Sequence, residues 1–113
     1  MSDHRTVLLV GADLMARARV DEAARRAGHE VRSVTADGLR NALEAEDVAV
    51  VVVDLDRAGV DALEMLPGPP APRMVGFYSH IDADLGRRAE TAGCEAIPRG
   101  RFWRTLPELL ASL

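Results

Sequence analysis

Residues 48–53, VAVVVV, form an unbroken apolar run dominated by β-branched side chains, and the run ends abruptly in Asp54-Leu55-Asp56. Such a run belongs in a parallel sheet covered on both faces. A carboxylate at the carboxyl end of a central parallel strand lies where open α/β sheets place their ligand crevice. Strand-like and helix-like segments alternate along the whole chain, which predicts a parallel sheet with helices on both sides. At 113 residues the chain has room for one core, so residues 1–113 are read as a single domain.

The alternation can be followed in order. Thr6–Val10 is the first buried strand. Gly11-Ala12-Asp13 turns the chain into a helix from Leu14 to Ala27, with Leu14, Ala18, Val20, Ala23, Ala24 and Ala27 as its apolar stripe. Gly28 sits at its C′ position. Glu30–Val34 reads as an edge strand. Thr35 or Asp37 is placed to cap a helix over Gly38–Glu46. After the third strand comes a short helix, Val60–Leu66, stopped by the proline-rich loop from Pro67 to Pro72. Arg73–Tyr78 is a fourth strand and Ile81–Ala92 a fourth helix, with Gly93 closing it. Cys94–Ile97 is the last strand, Pro98–Arg101 a loop and Phe102–Leu113 a final helix. That helix buries Phe102, Leu106, Leu109, Leu110 and Leu113, and Pro107 suggests that its regular part starts near Thr105.

Composition narrows the chemistry. The net charge is −4, which argues against generic nucleic-acid binding. All 14 basic residues are arginine, so a mechanism needing a lysine ammonium is excluded. Cys94 is the only cysteine, which excludes an internal disulfide and a four-cysteine zinc site. No apolar run approaches the ~18 residues of a membrane helix, and the N-terminal MSDHRT lacks a signal-peptide pattern. A cytoplasmic location is expected.

The segment Asp54-Leu55-Asp56-Arg57-Ala58-Gly59-Val60-Asp61-Ala62-Leu63 resembles the phosphoacceptor segment of bacterial response-regulator receiver domains, and the order of βα units matches theirs along nearly the whole chain. The resemblance implies a three-layer α/β/α, flavodoxin-like (CheY-like) fold with a five-stranded parallel sheet in the order 2-1-3-4-5. It also implies that Asp54 stands at the phosphoacceptor position of a two-component signalling domain.

Other receiver positions are altered. Gly11 and Ala12 fall where the family carries its acidic metal-binding pair, and Asp13 comes one residue late, as an N-cap or a displaced ligand. Asp56 matches a position that contributes a backbone carbonyl, and its carboxylate is expected to point to solvent. Ser79 matches the strand-four hydroxyl that contacts the phosphoryl group, although a local backbone hydrogen bond would also explain it. Its neighbour His80 cannot readily pair with it, because adjacent residues of an extended chain face opposite ways. Gly100 and Arg101 lie opposite the family's Lys-Pro, leaving Arg99 or Arg101 as the pocket cation, with a different donor geometry from lysine. Ile97 replaces the switch aromatic. No cofactor is expected; if Mg²⁺ binds at all, Asp13 and Asp54 are the candidate ligands.

Three functions follow. The favoured one is a stand-alone, degenerate receiver-like domain, not an enzyme, acting as a protein-interaction or signalling module without Mg²⁺-dependent phosphorylation. Its partner would be another protein or a second copy, met on the surface of the fourth helix, fifth strand and fifth helix. Trp103 and Arg104 are the interface candidates; alternatively Trp103 folds back on the domain edge. Regulation of DNA would then run through another polypeptide. The second function is an atypical working receiver phosphorylated on Asp54. The third, a flavin or cobalamin binder, lacks an Asp-x-His-x-x-Gly motif after the first strand.

Overall fold

The protein is described from a computed structural model covering residues 5–45, 47–66, 68, 72–79 and 82–113. Much of the proline-rich loop, Glu46, His80 and Ile81 lie outside the described residues, as does the N-terminus through His4.

Five parallel strands form one sheet in the order β2-β1-β3-β4-β5. They are β1 (Thr6–Val10), β2 (Glu30–Val34), β3 (Val48–Asp54), β4 (Arg73–Tyr78) and β5 (Glu95–Pro98). Among the described residues six α-helices connect and follow them: α1 (Leu14–Arg26), α2 (Leu39–Ala45), α3 (Leu55–Ala58), α4 (Asp61–Glu64), α5 (Ala83–Thr91) and α6 (Arg99–Ala111). This is the expected order, and β3 is central with both faces buried.

Alternation along the strands sorts the core into two layers. Val7, Leu9, Val50, Val52, Val75 and Phe77 pack against α1 and α6. Leu8, Val10, Val51, Val53 and Met74 face the side covered by α2, α4 and α5. In the first layer Phe77 meets Phe102 at 4.9 Å between ring centroids. Burying each such ring contributes about 1.5–3 kcal/mol.

Helix boundaries differ from expectation in instructive places. The buried stripe of α1 is Ala16, Val20 and Ala24, whereas Leu14 is 83% exposed. Leu14 precedes Ala16 by two residues, about 200° around a helix, so both cannot face the sheet. Thr35 does act as a cap, accepting from Gly38 N–H, but it opens a 3₁₀ turn over Ala36–Gly38 and α2 follows only from Leu39. The third predicted helix shrinks to Asp61–Glu64. The loop predicted over Pro98–Arg101 is instead the end of β5 and the first turn of α6. Pro98 stands at the N-cap, and α6 carries Pro107 in its interior, so the Trp103 carbonyl has no i+4 amide to accept from. Gly28 and Gly93 close α1 and α5 as expected, at φ +81° and +93°.

Candidate functional site

The site gathers at the carboxyl ends of β1, β3 and β4. Asp54 is at once the last residue of β3 and the N-cap of α3, its Oδ1 accepting from the Arg57 N–H at 3.2 Å. The sequence reading places no helix in this tight turn before Val60. The turn carries Asp54, Asp56, Arg57 and Ala58 across the strand ends.

Asp54 is fully buried. Among the described residues its Oδ2 has no hydrogen-bond partner; Arg99 Nη2 lies 3.6 Å away. Burial pushes the carboxyl above its usual range. The Arg57 N–H and the Arg99 charge pull it back, while the charges of Asp56 and Asp13 push it further up. Desolvation outweighs the guanidinium here because the arginine approaches without hydrogen-bonding.

Asp56 is exposed, as expected, but its carboxylate is also engaged within the fold. Its two carboxylate oxygens accept from the Ser79 backbone N–H at 3.1 and 3.0 Å, and Oδ2 lies 3.7 Å from Arg99 Nη2. The β4 end presents an amide that needs an acceptor, and the α3 turn brings the carboxylate to it. Ser79 thus meets the acidic group through its backbone. Arg99 bridges Asp54 and Asp56 and stacks its guanidinium 4.9 Å over the Phe77 ring.

Arg101, the other cation candidate, is not in this pocket. It lines a surface groove with Arg73, Glu95 and Glu108. Because α6 starts at Arg99, Arg101 is turned about 200° from it. Asp13 caps α1, accepting from Ala16 N–H at 2.8 Å.

Two residues that sequence reasoning passed over complete the site. Arg57 donates from Nε to the Gly11 carbonyl at 3.2 Å. Ala58 lies so close to Gly11 that a β-carbon there would meet Ala58 Cβ at 2.7 Å. Gly11 also holds φ +69°, a conformation that L side chains rarely adopt. The end of β1 therefore presents backbone to α3, with an arginine on its carbonyl. The only signal for this was Gly11 itself, which allows close backbone approach.

Trp103 leans against Phe77 at 5.1 Å and Phe102 at 5.2 Å, with the Arg19 guanidinium 5.1 Å over its ring. It faces α1, away from the α5 and β5 surface on which it was expected. Arg104 beside it is exposed. Cys94 is buried under α5, and burial with nearby Glu95 and Glu90 pushes its thiol up to about 12.

Solved structures place this architecture. The chemotaxis response regulator CheY4 of Vibrio cholerae superposes with a TM-score of 0.76 at 14% identity, over 96% of this chain and 98% of that one. The fold is that of a response-regulator receiver domain. A response regulator from Thermotoga maritima gives 0.73 at 20% identity over 97% of this chain and 99% of that one. NtrX from Brucella abortus, solved in complex with ADP, also gives 0.73 at 20% identity, over 99% of this chain but 26% of its own. No family model and no curated protein sequence matches. Within the receiver fold Asp54 occupies the carboxyl end of the central strand, and Gly11 and Ala12 follow β1. Among the described residues no helix is long and apolar enough to cross a membrane.

Proposed function

We propose that the chain is a degenerate receiver-like domain: a non-catalytic protein-interaction and signalling module in which Asp54 is not phosphorylated with Mg²⁺. The observation that carries this reading is the Arg57–Gly11 contact with Ala58 against the Gly11 backbone.

Mg²⁺ takes near-octahedral oxygen ligands and gives up water reluctantly. The residues present fit it poorly. Asp13 caps a helix, Asp56 holds the Ser79 amide, and Arg99 lies between Asp54 and Asp56. Two guanidiniums lie where a receiver would bring a divalent cation. Phosphoryl transfer is handled almost wholly by charge and positioning, and a guanidinium offers only hydrogen-bond donors, with no coordination sites through which to join carboxylate and phosphodonor oxygens as a metal does. An internally neutralised crevice leaves the helical surfaces as the working parts.

The test is a pair of NMR spectra with and without beryllofluoride and Mg²⁺. Unchanged amides at residues 54–58 and at Ser79 are expected. A Mg²⁺-dependent shift at Asp54 and Ser79, lost in Asp54→Asn, would instead make the protein an atypical working receiver.

A further inference from the structure

The two helical layers carry opposite charge. α1 and α6, packed side by side on one face of the sheet, hold seven arginines against three acids, Asp21, Glu22 and Glu108. The opposite layer, from the 3₁₀ turn through α5, holds four arginines against seven acids. A chain of net charge −4 thus concentrates its positive charge on the α1/α6 face.

That face also has an apolar groove of about 460 Å³ between the two helices. Its floor is Ala18, Ala23, Trp103, Leu106 and Pro107, and Arg19 and Arg26 stand at its edge. Glu22, the acid that lines it, is already paired with Arg25 and Arg26. Arg19 is engaged with the Trp103 ring, and Arg104 is exposed on α6 one residue further on. Upstream on α1, Leu14 and Met15 are 83% and 74% exposed. Leu14 lies one turn before Ala18, so the apolar surface continues from the groove toward the start of α1.

An aromatic floor with an arginine rim has the composition of a binding hot spot, and two parallel ridges with a groove between them suit a third helix. We infer that the α1/α6 groove docks an acidic amphipathic helix of a partner protein, its apolar stripe on Trp103 and Ala18 and its carboxylates on Arg19 and Arg104. This rests on the interaction-module reading above and moves the interface from the α5–β5 surface to the α1 side.

The probe is a helical peptide of about 14 residues, matching the ~20 Å of a 13-residue helix at 1.5 Å per residue. It carries leucines on one stripe and glutamates on both flanks; a control has lysine at every glutamate. Binding is followed by Trp103 fluorescence and amide shifts. The acidic peptide should perturb Trp103 and the α1 and α6 amides, and more weakly as salt is added. The Arg19→Glu/Arg104→Glu protein should keep its circular dichroism and bind roughly tenfold more weakly or worse. No perturbation at millimolar peptide, equal binding of the lysine control, or shifts confined to another face would overturn the inference. So would self-association abolished by the same double variant, which would give the face to a second copy. These readouts do not involve Asp54, so phosphorylation there could overturn the proposed function and leave this result standing.

Discussion

The crevice at Asp54 and the groove at Trp103 share one ring. Phe77 has the Arg99 guanidinium 4.9 Å and the Trp103 ring 5.1 Å from its centroid. Both regions pair arginine with an aromatic, yet they use the arginine differently. In the crevice Arg99 is held by two carboxylates and Arg57 by a backbone carbonyl. In the groove Arg19 covers an indole, and among the described residues neither it nor Arg104 has a carboxylate within ion-pair distance. The difference teaches that a cation neutralised inside the fold closes a site, whereas a cation left without a counter-charge advertises for one.

The largest test of this comparison is to remove the ring the two regions share. Phe77→Ala should cost about 3–5 kcal/mol, because Phe77 is fully buried between Phe102 and Trp103. Urea unfolding should show it, and both the Arg99 and the Trp103 environments should change together. If Trp103 fluorescence stays as in the parent, the two regions are not joined through this ring.

A smaller effect comes from the β1 end. Gly11→Ala should cost about 2 kcal/mol, from positive φ and from the clash with Ala58. A shift of the urea midpoint checks it; an unchanged midpoint would mean that α3 does not lie on β1.

Smaller again is Arg99→Ala, at roughly 1 kcal/mol, the discounted value for a pair whose arginine is partly exposed. The sharper readout is the Asp54 carboxyl, followed by carbon NMR against pH. It already titrates above the usual carboxylate range, and losing Arg99 should raise it further. A fall would mean that Arg99 does not act on it.

The last effect concerns pH. An acid whose folded-state pKa is raised favours folding while protonated. That contribution is complete below the ordinary carboxylate range and is lost as pH rises through the raised value. Asp54→Asn removes the loss, so its melting temperature should exceed the parent's at neutral pH and the gap should close in acid. The opposite trend would show that Arg99 overcompensates burial.

The sheet was legible because hydrophobic periodicity and turn residues agreed at every unit. TVLLV, VAVVVV and RMVGFY are strands on either criterion, and Gly28 and Gly93 sit at the helix ends where positive φ is needed. Within the site, Asp54 and the capping role open to Asp13 were also legible, since both are local. What was not legible depends on contacts across the chain. Asp56 reaches the Ser79 amide 23 residues away, and Arg57 reaches the Gly11 carbonyl 46 residues away. The choice between Arg99 and Arg101 turned on where α6 begins. Gly100 and Pro107 both signalled a late start, but packing of Phe102 and Leu106 on the sheet carried the helix back to Arg99. Trp103 was another such case, since its neighbour Arg19 belongs to α1 at the far end of the chain.

On the proposed function, the crevice at Asp54, with Arg99 beside Asp54 and Asp56 and Arg57 on the Gly11 carbonyl, takes up no divalent cation. Paramagnetic Mn²⁺, titrated to millimolar concentration in place of Mg²⁺, tests it most directly through amide line widths. No selective broadening at residues 11–13 and 54–58 is predicted. Selective broadening there, relieved by excess Mg²⁺ and abolished in Asp54→Asn, would contradict it.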